Sequence, residues 1–286
     1  MTDQDLVRVE ASEDPEECFD LGVKLGEKGD FIGAIEAFKK GLRLNPEEVV
    51  AWINLGLVHG QNGDFQEEIK AYKKALLLDP ENMEVWVNLG VVLEEMTDFK
   101  GAVDAYKKAL ELNSEDLDIW FDLGVAFGRM ENFENAIIAY KKVLECNPDD
   151  SQAWLNLGVV QIQTEQFEEA QVAFEKALEI DPNDEKAWYN LGLILGQTGD
   201  IEGEIKSYTK ALELDSNIEL AWYNLAVALE EMEDFKGAIE AYKKVLELDP
   251  EDDITWEDLS LALKKVGDLK GALDAQNKAS SLRNNQ

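Results

Sequence analysis

Tryptophan recurs in this chain at one spacing: Trp52, Trp86, Trp120, Trp154, Trp188, Trp222 and Trp256 are each 34 residues apart. One further step back reaches Cys18. A strict period of this length means that copies of one supersecondary unit are stacked, each touching only its neighbours. The register divides the chain into units 15–48, 49–82, 83–116, 117–150, 151–184, 185–218, 219–252 and 253–286. Ahead of them stands an N-terminal segment, 1–14, expected to be flexible.

Superposed, the units explain one another. Three residues after each Trp position comes leucine: Leu21, Leu55, Leu89, Leu123, Leu157, Leu191, Leu225 and Leu259. The next residue is small: glycine six times, then Ala226 and Ser260. A turn follows, as in Gly63-Asp64-Phe65, and then a second run such as Ala102, Tyr106 and Ala109. Members four and three apart share one face of a helix. Asn45-Pro46, Asp79-Pro80, Asn147-Pro148, Asp181-Pro182 and Asp249-Pro250 close five of the units. Proline cannot continue the helix behind it, so the chain turns there.

The pattern W-x2-L-G, A-x3-[FY]-x2-A and closing P resembles the tetratricopeptide repeat, and it spans residues 15–286. The resemblance implies an all-α, right-handed superhelical solenoid of eight helix-turn-helix repeats, with helix A of each repeat lining a concave, ligand-binding surface. The departures carry expectations of their own. Ser114 and Ser216 stand where the closing proline would be, which predicts looser or more helical inter-repeat turns. Glu68 and Glu204 replace a small alanine of helix B, which predicts looser hairpins. Gly26, Gly60, Gly128 and Gly196 share one late position of helix A. Each costs a helix about 1 kcal/mol against alanine, so each calls for a reason such as room for a ligand or close helix contact. Polar residues at both ends, Glu17 and Lys24 first, Gln276 and Ser280 last, predict a discrete array and not a head-to-tail filament.

Composition narrows the partners. With 61 Asp+Glu against 27 Lys+Arg, the net charge is −34. Such a field repels nucleic acid and anionic membrane surfaces and attracts basic segments. Cys18 and Cys146 lie too many repeats apart to pair, which suits a reducing cytoplasm. No leader-like apolar block stands in residues 1–14, and no run of about 18 apolar residues occurs, so membrane insertion is not expected.

Three positions of helix A are the candidate groove. Two after the Trp position stand Asn54, Asn88, Asp122, Asn156, Asn190 and Asn224, flanked by Asp20 and Asp258. A carboxamide both donates and accepts, so it can hold a guest's main chain whatever its sequence. The ladder is similar to that of the repeat region in O-linked N-acetylglucosamine transferases, which implies backbone binding. One after the Trp position come Ile53, Val87, Phe121, Leu155, Tyr189 and Tyr223, and five after come Leu57, Val91, Val125, Val159, Leu193 and Val227. This is more apolar surface than packing on helix B requires, and it predicts an oily groove. Family members that grip a C-terminal carboxylate need lysine and asparagine at those two sets, so that activity is rejected.

Chemistry of other kinds finds no support. His59, the single histidine, sits where other units carry leucine or phenylalanine and is read as a core residue, as is Gln161. One His and two distant Cys make no zinc site, and no nucleophile–base pair is recognisable. Lys73-Lys74, Lys107-Lys108 and Lys141-Lys142 form a basic strip on helix B that is expected to pair with nearby acids. The expectation is a non-catalytic scaffold or adaptor, without cofactor, binding a protein or peptide segment of apolar or basic character. The alternative is an assembly chaperone or stable accessory subunit of a multi-subunit enzyme complex.

Overall fold

The computed structural model describes residues 12–284. The part of the N-terminal segment at 1–11 therefore lies outside the described residues. Within 12–14, Asp14 caps the first helix, its Oδ1 accepting from the Glu16 amide at 3.0 Å.

Among the described residues, sixteen helices make eight hairpins. They are α1 (Pro15–Glu27), α2 (Phe31–Leu44), α3 (Val49–Gln61), α4 (Phe65–Leu78), α5 (Met83–Glu95), α6 (Phe99–Leu112), α7 (Leu117–Arg129) and α8 (Phe133–Cys146). After them come α9 (Ser151–Gln163), α10 (Phe167–Ile180), α11 (Glu185–Thr198), α12 (Ile201–Leu214), α13 (Glu219–Glu231), α14 (Phe235–Leu248), α15 (Asp253–Lys265) and α16 (Leu269–Arg283). Odd-numbered helices are the A helices and even-numbered the B helices. Two compact units divide the chain, one ending at Val143 and one starting at Leu144 in the last turn of α8. In the first, α1 to α6 each pack on their successor up to α7, and in the second the same order runs from α9 to α16.

Each A–B turn passes through one left-handed residue. Gly29, Gly63, Gly199 and Gly267 take it without a Cβ, while Thr97, Glu131, Glu165 and Glu233 hold φ of 57–59°. The turn closes by a backbone bond back across the helix end, such as Asp30 N–H to Leu25 O at 2.9 Å and Asp98 N–H to Leu93 O at 2.8 Å. The next residue then caps the B helix: Asp30, Asp98, Asp200, Asp234 and Asp268 each accept from the amide three residues on, at 2.9–3.1 Å.

The tryptophans tie hairpin to hairpin. Every indole Nε1–H donates to the carbonyl six residues earlier, in the inter-repeat turn, at 2.9–3.0 Å. Two of the acceptors are Ser114 and Ser216. The expectation of looser turns at these serines is corrected: the acceptor is a main-chain oxygen, which serine and proline share. Helices α6 and α12 end at Leu112 and Leu214, in register with the B helices before proline turns.

The small residue after each leucine has a clear use. An added Cβ at Gly56, Gly90, Gly124 or Gly192 would sit 2.4–2.7 Å from the ring of Tyr72, Tyr106, Tyr140 or Tyr208 on the partner B helix. The rings are buried, so they have nowhere to retreat. Close approach of the two helices is thus what glycine provides here.

The glutamates in helix B do not loosen their hairpins, again against expectation. Gly60 and Gly196 leave space that Glu68 and Glu204 fill, with a carboxylate oxygen 2.6 Å from where a Cβ would be. These acids meet the hydroxyls of Tyr72 and Tyr208. In the third and seventh hairpins the carboxylate comes from the A helix instead: Tyr106 donates to Glu94 at 2.7 Å and Tyr242 to Glu230 at 3.1 Å, opposite Ala102 and Ala238. Where phenylalanine replaces tyrosine, as at Phe38 and Phe174, neither position is acidic: Gly26 and Ala34, Ile162 and Ala170 stand there. Thus in four hairpins one buried phenol is matched to one carboxylate from either helix, while at Tyr140 the two positions hold Gly128 and Ala136. Gly26 makes only ordinary contact, and Gly128 has open space around its missing Cβ.

Two measurements test these points. Glu131→Gly and Glu165→Gly should each stabilise the chain by about 0.5–1 kcal/mol in urea unfolding, because they relieve a left-handed side chain. Moving the carboxylate of the second hairpin, Gly60→Glu with Glu68→Ala, should leave stability within about 1 kcal/mol of the parent, whereas Gly60→Glu alone should lose about 1–3 kcal/mol by placing two acids under one phenol. Additive effects in that cycle would remove the matching rule.

Candidate functional site

The residues one, two and five after each Trp position lie along the A helices, and their environment differs along the chain. In the first unit Leu57 and Val91 are exposed, Val125 is partly buried, and Ile53, Val87 and Phe121 are half-buried. Phe121 meets the B helix edge-on, its ring 5.7 Å from that of Tyr140. Asn54 and Asn88 are partly exposed, and their side chains make no hydrogen bond to any described residue. Asp122, the third member, is different. Its carboxyl is pushed up to about 6, by burial first and then by the charges of Glu94, Asp118 and Asp116. Glu94 is raised as well, again mainly by burial.

In the second unit the ladder is partly engaged within the chain. Asn190 donates to the Lys186 carbonyl of its own helix at 2.8 Å, and Asn224 donates to the Tyr189 hydroxyl at 3.4 Å. Tyr223 donates to Asp258 at 2.9 Å. Its hydroxyl is pushed up to about 12, by burial first and then by this carboxylate. Tyr189 and Tyr223 also lean on the B-helix rings of Tyr208 and Tyr242, with centroids 5.9 Å apart in both pairs. Part of the apolar excess seen in the sequence is therefore internal packing.

The A helices α9 and α11, with Asp215 and Ile218 of the turn after α12, line an open cavity of ≈ 440 Å³. Five of the expected groove residues, Leu155, Asn156, Val159, Tyr189 and Asn190, line it. Leu155 is buried and forms floor, and Val159 is exposed at the rim. Sequence reasoning did not place Gln152 and Lys186 there, although each stands one turn before a ladder amide, and Gln152 donates to Asn156 at 3.4 Å. Leu193 and Val227 are partly buried outside this cavity.

His59 is buried, and its Nδ1 lies 3.3 Å from Asp64 Oδ2. Burial lowers its pKa, against the raising effect of that hydrogen bond. The basic strip is only partly neutralised: Lys108, Lys176, Lys210 and Lys244 each pair with the glutamate three residues on at 2.5–2.6 Å, but Lys73 and Lys74 make no ion pair with any described residue. Both cysteines are free, Cys18 buried and Cys146 exposed. Among the described residues, no helix is long and apolar enough to cross a membrane, and no three potential metal ligands cluster.

Comparison with known proteins places this geometry in a family. The family described as the cytochrome c-type biogenesis protein H TPR domain matches residues 35–146 and 127–254. No curated protein matches the chain. Among solved structures, MamA is 31% identical, aligns over 60% of this chain and 94% of its own, and has a TM-score of 0.56. The C-terminal part of a TPR repeat-containing protein from Cytophaga hutchinsonii reaches a TM-score of 0.71 at 19% identity, over 83% of this chain and 97% of that one. YrrB, described as a TPR protein with an unusual peptide-binding site, is 24% identical over 65% of this chain and 96% of its own, with a TM-score of 0.56. The last two likenesses are of fold alone. Joined with the period and the hairpins, the family match over most of the chain makes it a tetratricopeptide-repeat protein, a member of the family described as the cytochrome c-type biogenesis protein H TPR domain.

Proposed function

We propose that the A-helix face holds a segment of a partner protein, without catalysis, by carboxamide contacts to the guest's main chain and by apolar contacts beside them. The observation that carries this reading is the cavity between α9 and α11, where Asn156 and Asn190 stand among Leu155, Val159 and Tyr189. A pocket of this volume with a few convergent polar groups is the ordinary form of a binding site. In the first unit, the unbonded side chains of Asn54 and Asn88 support the same role, with Ile53, Val87, Leu57 and Val91 beside them. Asp122 with Glu94 adds a preference for a basic side chain. A carboxylate held up by burial and by its acidic neighbours is relieved by a cation that arrives with the guest.

A second reading keeps the surface and changes the bond's lifetime. The family description names a biogenesis protein. That favours an assembly chaperone or a stable accessory subunit of an enzyme complex over a transient adaptor. Co-purification of a partner through a high-salt wash selects the second reading, because a large buried interface is less sensitive to screening than a peptide contact.

Replacement of Asn88, Asn156 and Asn190 by alanine should weaken partner recovery by about ten-fold while the thermal transition stays in place. Recovery equal to the parent's would remove the ladder from the mechanism. Asp122 gives a pH signature. Its folded pKa, about 6, is above the usual value of 3.8, so stability from its protonation is complete below the latter and lost as pH rises through the former. Asp122→Asn should therefore be more stable than the parent near pH 7.5 by about 1 kcal/mol, or about 2–4 °C in Tm, with the gap narrowing as pH falls through about 6 and closing only below 3.8. A gap that does not depend on pH would show that the carboxylate is not strained.

A further inference from the structure

A second cavity, of ≈ 730 Å³, is not on the proposed groove. It lies at the joint of the first two hairpins, between the B helices α2 and α4, with α3 as floor. Trp52, Leu55 and His59 supply that floor. Leu55 is two residues from Leu57 and Ile53, so these point about 200° away around the helix, toward the other surface. Leu42 and Ala71 continue the apolar lining, and Leu77 stands at the edge with 72% of its surface exposed.

Its rim reverses the sign of the protein. Lys39, Arg43, Lys70, Lys73 and Lys74 surround the cavity, against one carboxylate, Glu67. Five of the chain's 27 basic residues are thus gathered in one place on a molecule of net charge −34. Lys70 is paired with Glu67 at 2.6 Å, but Lys39, Arg43, Lys73 and Lys74 make no ion pair with any described residue. Asp64, the other nearby acid, turns its Oδ2 to His59 and Asn62.

The departure from the repeat is local. In hairpins three to seven, the B-helix lysine is followed three residues later by Glu111, Glu145, Glu179, Glu213 or Glu247. In hairpins one and two, that position holds Arg43 and Leu77. A charge-neutralising glutamate has become a further cation in one and an exposed anchor in the other. The floor differs too. At the joint of hairpins three and four, Phe127 replaces His59, and Lys107 lies over its ring 5.3 Å from the centroid.

We infer that this B-helix groove is a second docking site, which takes an acidic segment of another protein carrying a large apolar side chain among its carboxylates. The apolar side chain enters against Trp52, Leu55 and Leu77. The carboxylates meet Lys73, Lys74 and Arg43, whose guanidinium can take one of them through two parallel hydrogen bonds. The chain's overall field opposes an acidic guest, but at physiological ionic strength it is screened over about 8 Å, so the local cluster decides. An adaptor with a basic-preferring A face and an acidic-preferring B face would join two unlike partners.

The test is fluorescence anisotropy of the full chain with a labelled synthetic peptide of about 15 residues, in which Asp and Glu flank a central Leu-Phe pair. Binding is expected, and Leu77→Glu and Lys74→Glu should each weaken it by about ten-fold or more. Both side chains are exposed, so circular dichroism and the thermal transition should match the parent's. Asn156→Ala with Asn190→Ala should leave this binding unchanged, which separates the site from the A-helix groove. Binding no tighter than that of the same peptide with lysine for its acids overturns the inference. So does equal binding by Leu77→Glu and parent. A concentration-dependent dimer abolished by Leu77→Glu overturns it also, by giving the groove to a second copy of the chain.

Discussion

The bond from each tryptophan indole to a main-chain carbonyl of the turn before it holds the repeat together. It is short, 2.9–3.0 Å, and occurs at all seven tryptophans. An indole N–H is a donor only, and a half-buried one needs an acceptor. The turn carbonyl needs a donor because no helix continues through it. One bond thus satisfies two groups and fixes where each A helix starts relative to the B helix before it. Every position counted from the tryptophan then falls in an equivalent place, which is why a ladder can be read from the sequence.

Within hairpins the constraint is volume. A buried aromatic ring from helix B sits on a residue of helix A that has no side chain, and a phenol at that place needs a partner for its hydroxyl. At Tyr72, Tyr106, Tyr208 and Tyr242 the chain meets this need in two ways, with glutamate on helix B facing glycine on helix A, or glutamate on helix A facing alanine on helix B. The carboxylates remain costly, and burial raises the pKa of Glu68, Glu94, Glu204 and Glu230. Each phenol returns part of that by hydrogen bonding to the charged form.

Much of this was legible from the residues. The hairpins and the A-helix positions counted from each tryptophan follow from a period and a helical face, both properties of one dimension. Glu68 with Gly60 was harder, because the two stand on different helices and meet only when the hairpin closes. The signal was nevertheless present: across the units, an acid at one of these positions goes with glycine or alanine at the other. The internal bonds of Asn190 and Asn224 were not legible, since a carboxamide that faces a groove and one that bonds its own helix look alike in sequence. Nor was the open B-helix cavity, which depends on what is missing at Arg43, Leu77 and His59 compared with their counterparts.

The tryptophan clip also bears on how such a chain can change over time. Its acceptor is the peptide backbone, and Pro46, Ser114 and Ser216 serve equally. The coupling between neighbours therefore carries no side-chain key. A gene segment encoding one whole hairpin can be duplicated, lost or exchanged without a mismatch at the seam, and a cavity made by two adjacent hairpins can be inherited as a pair.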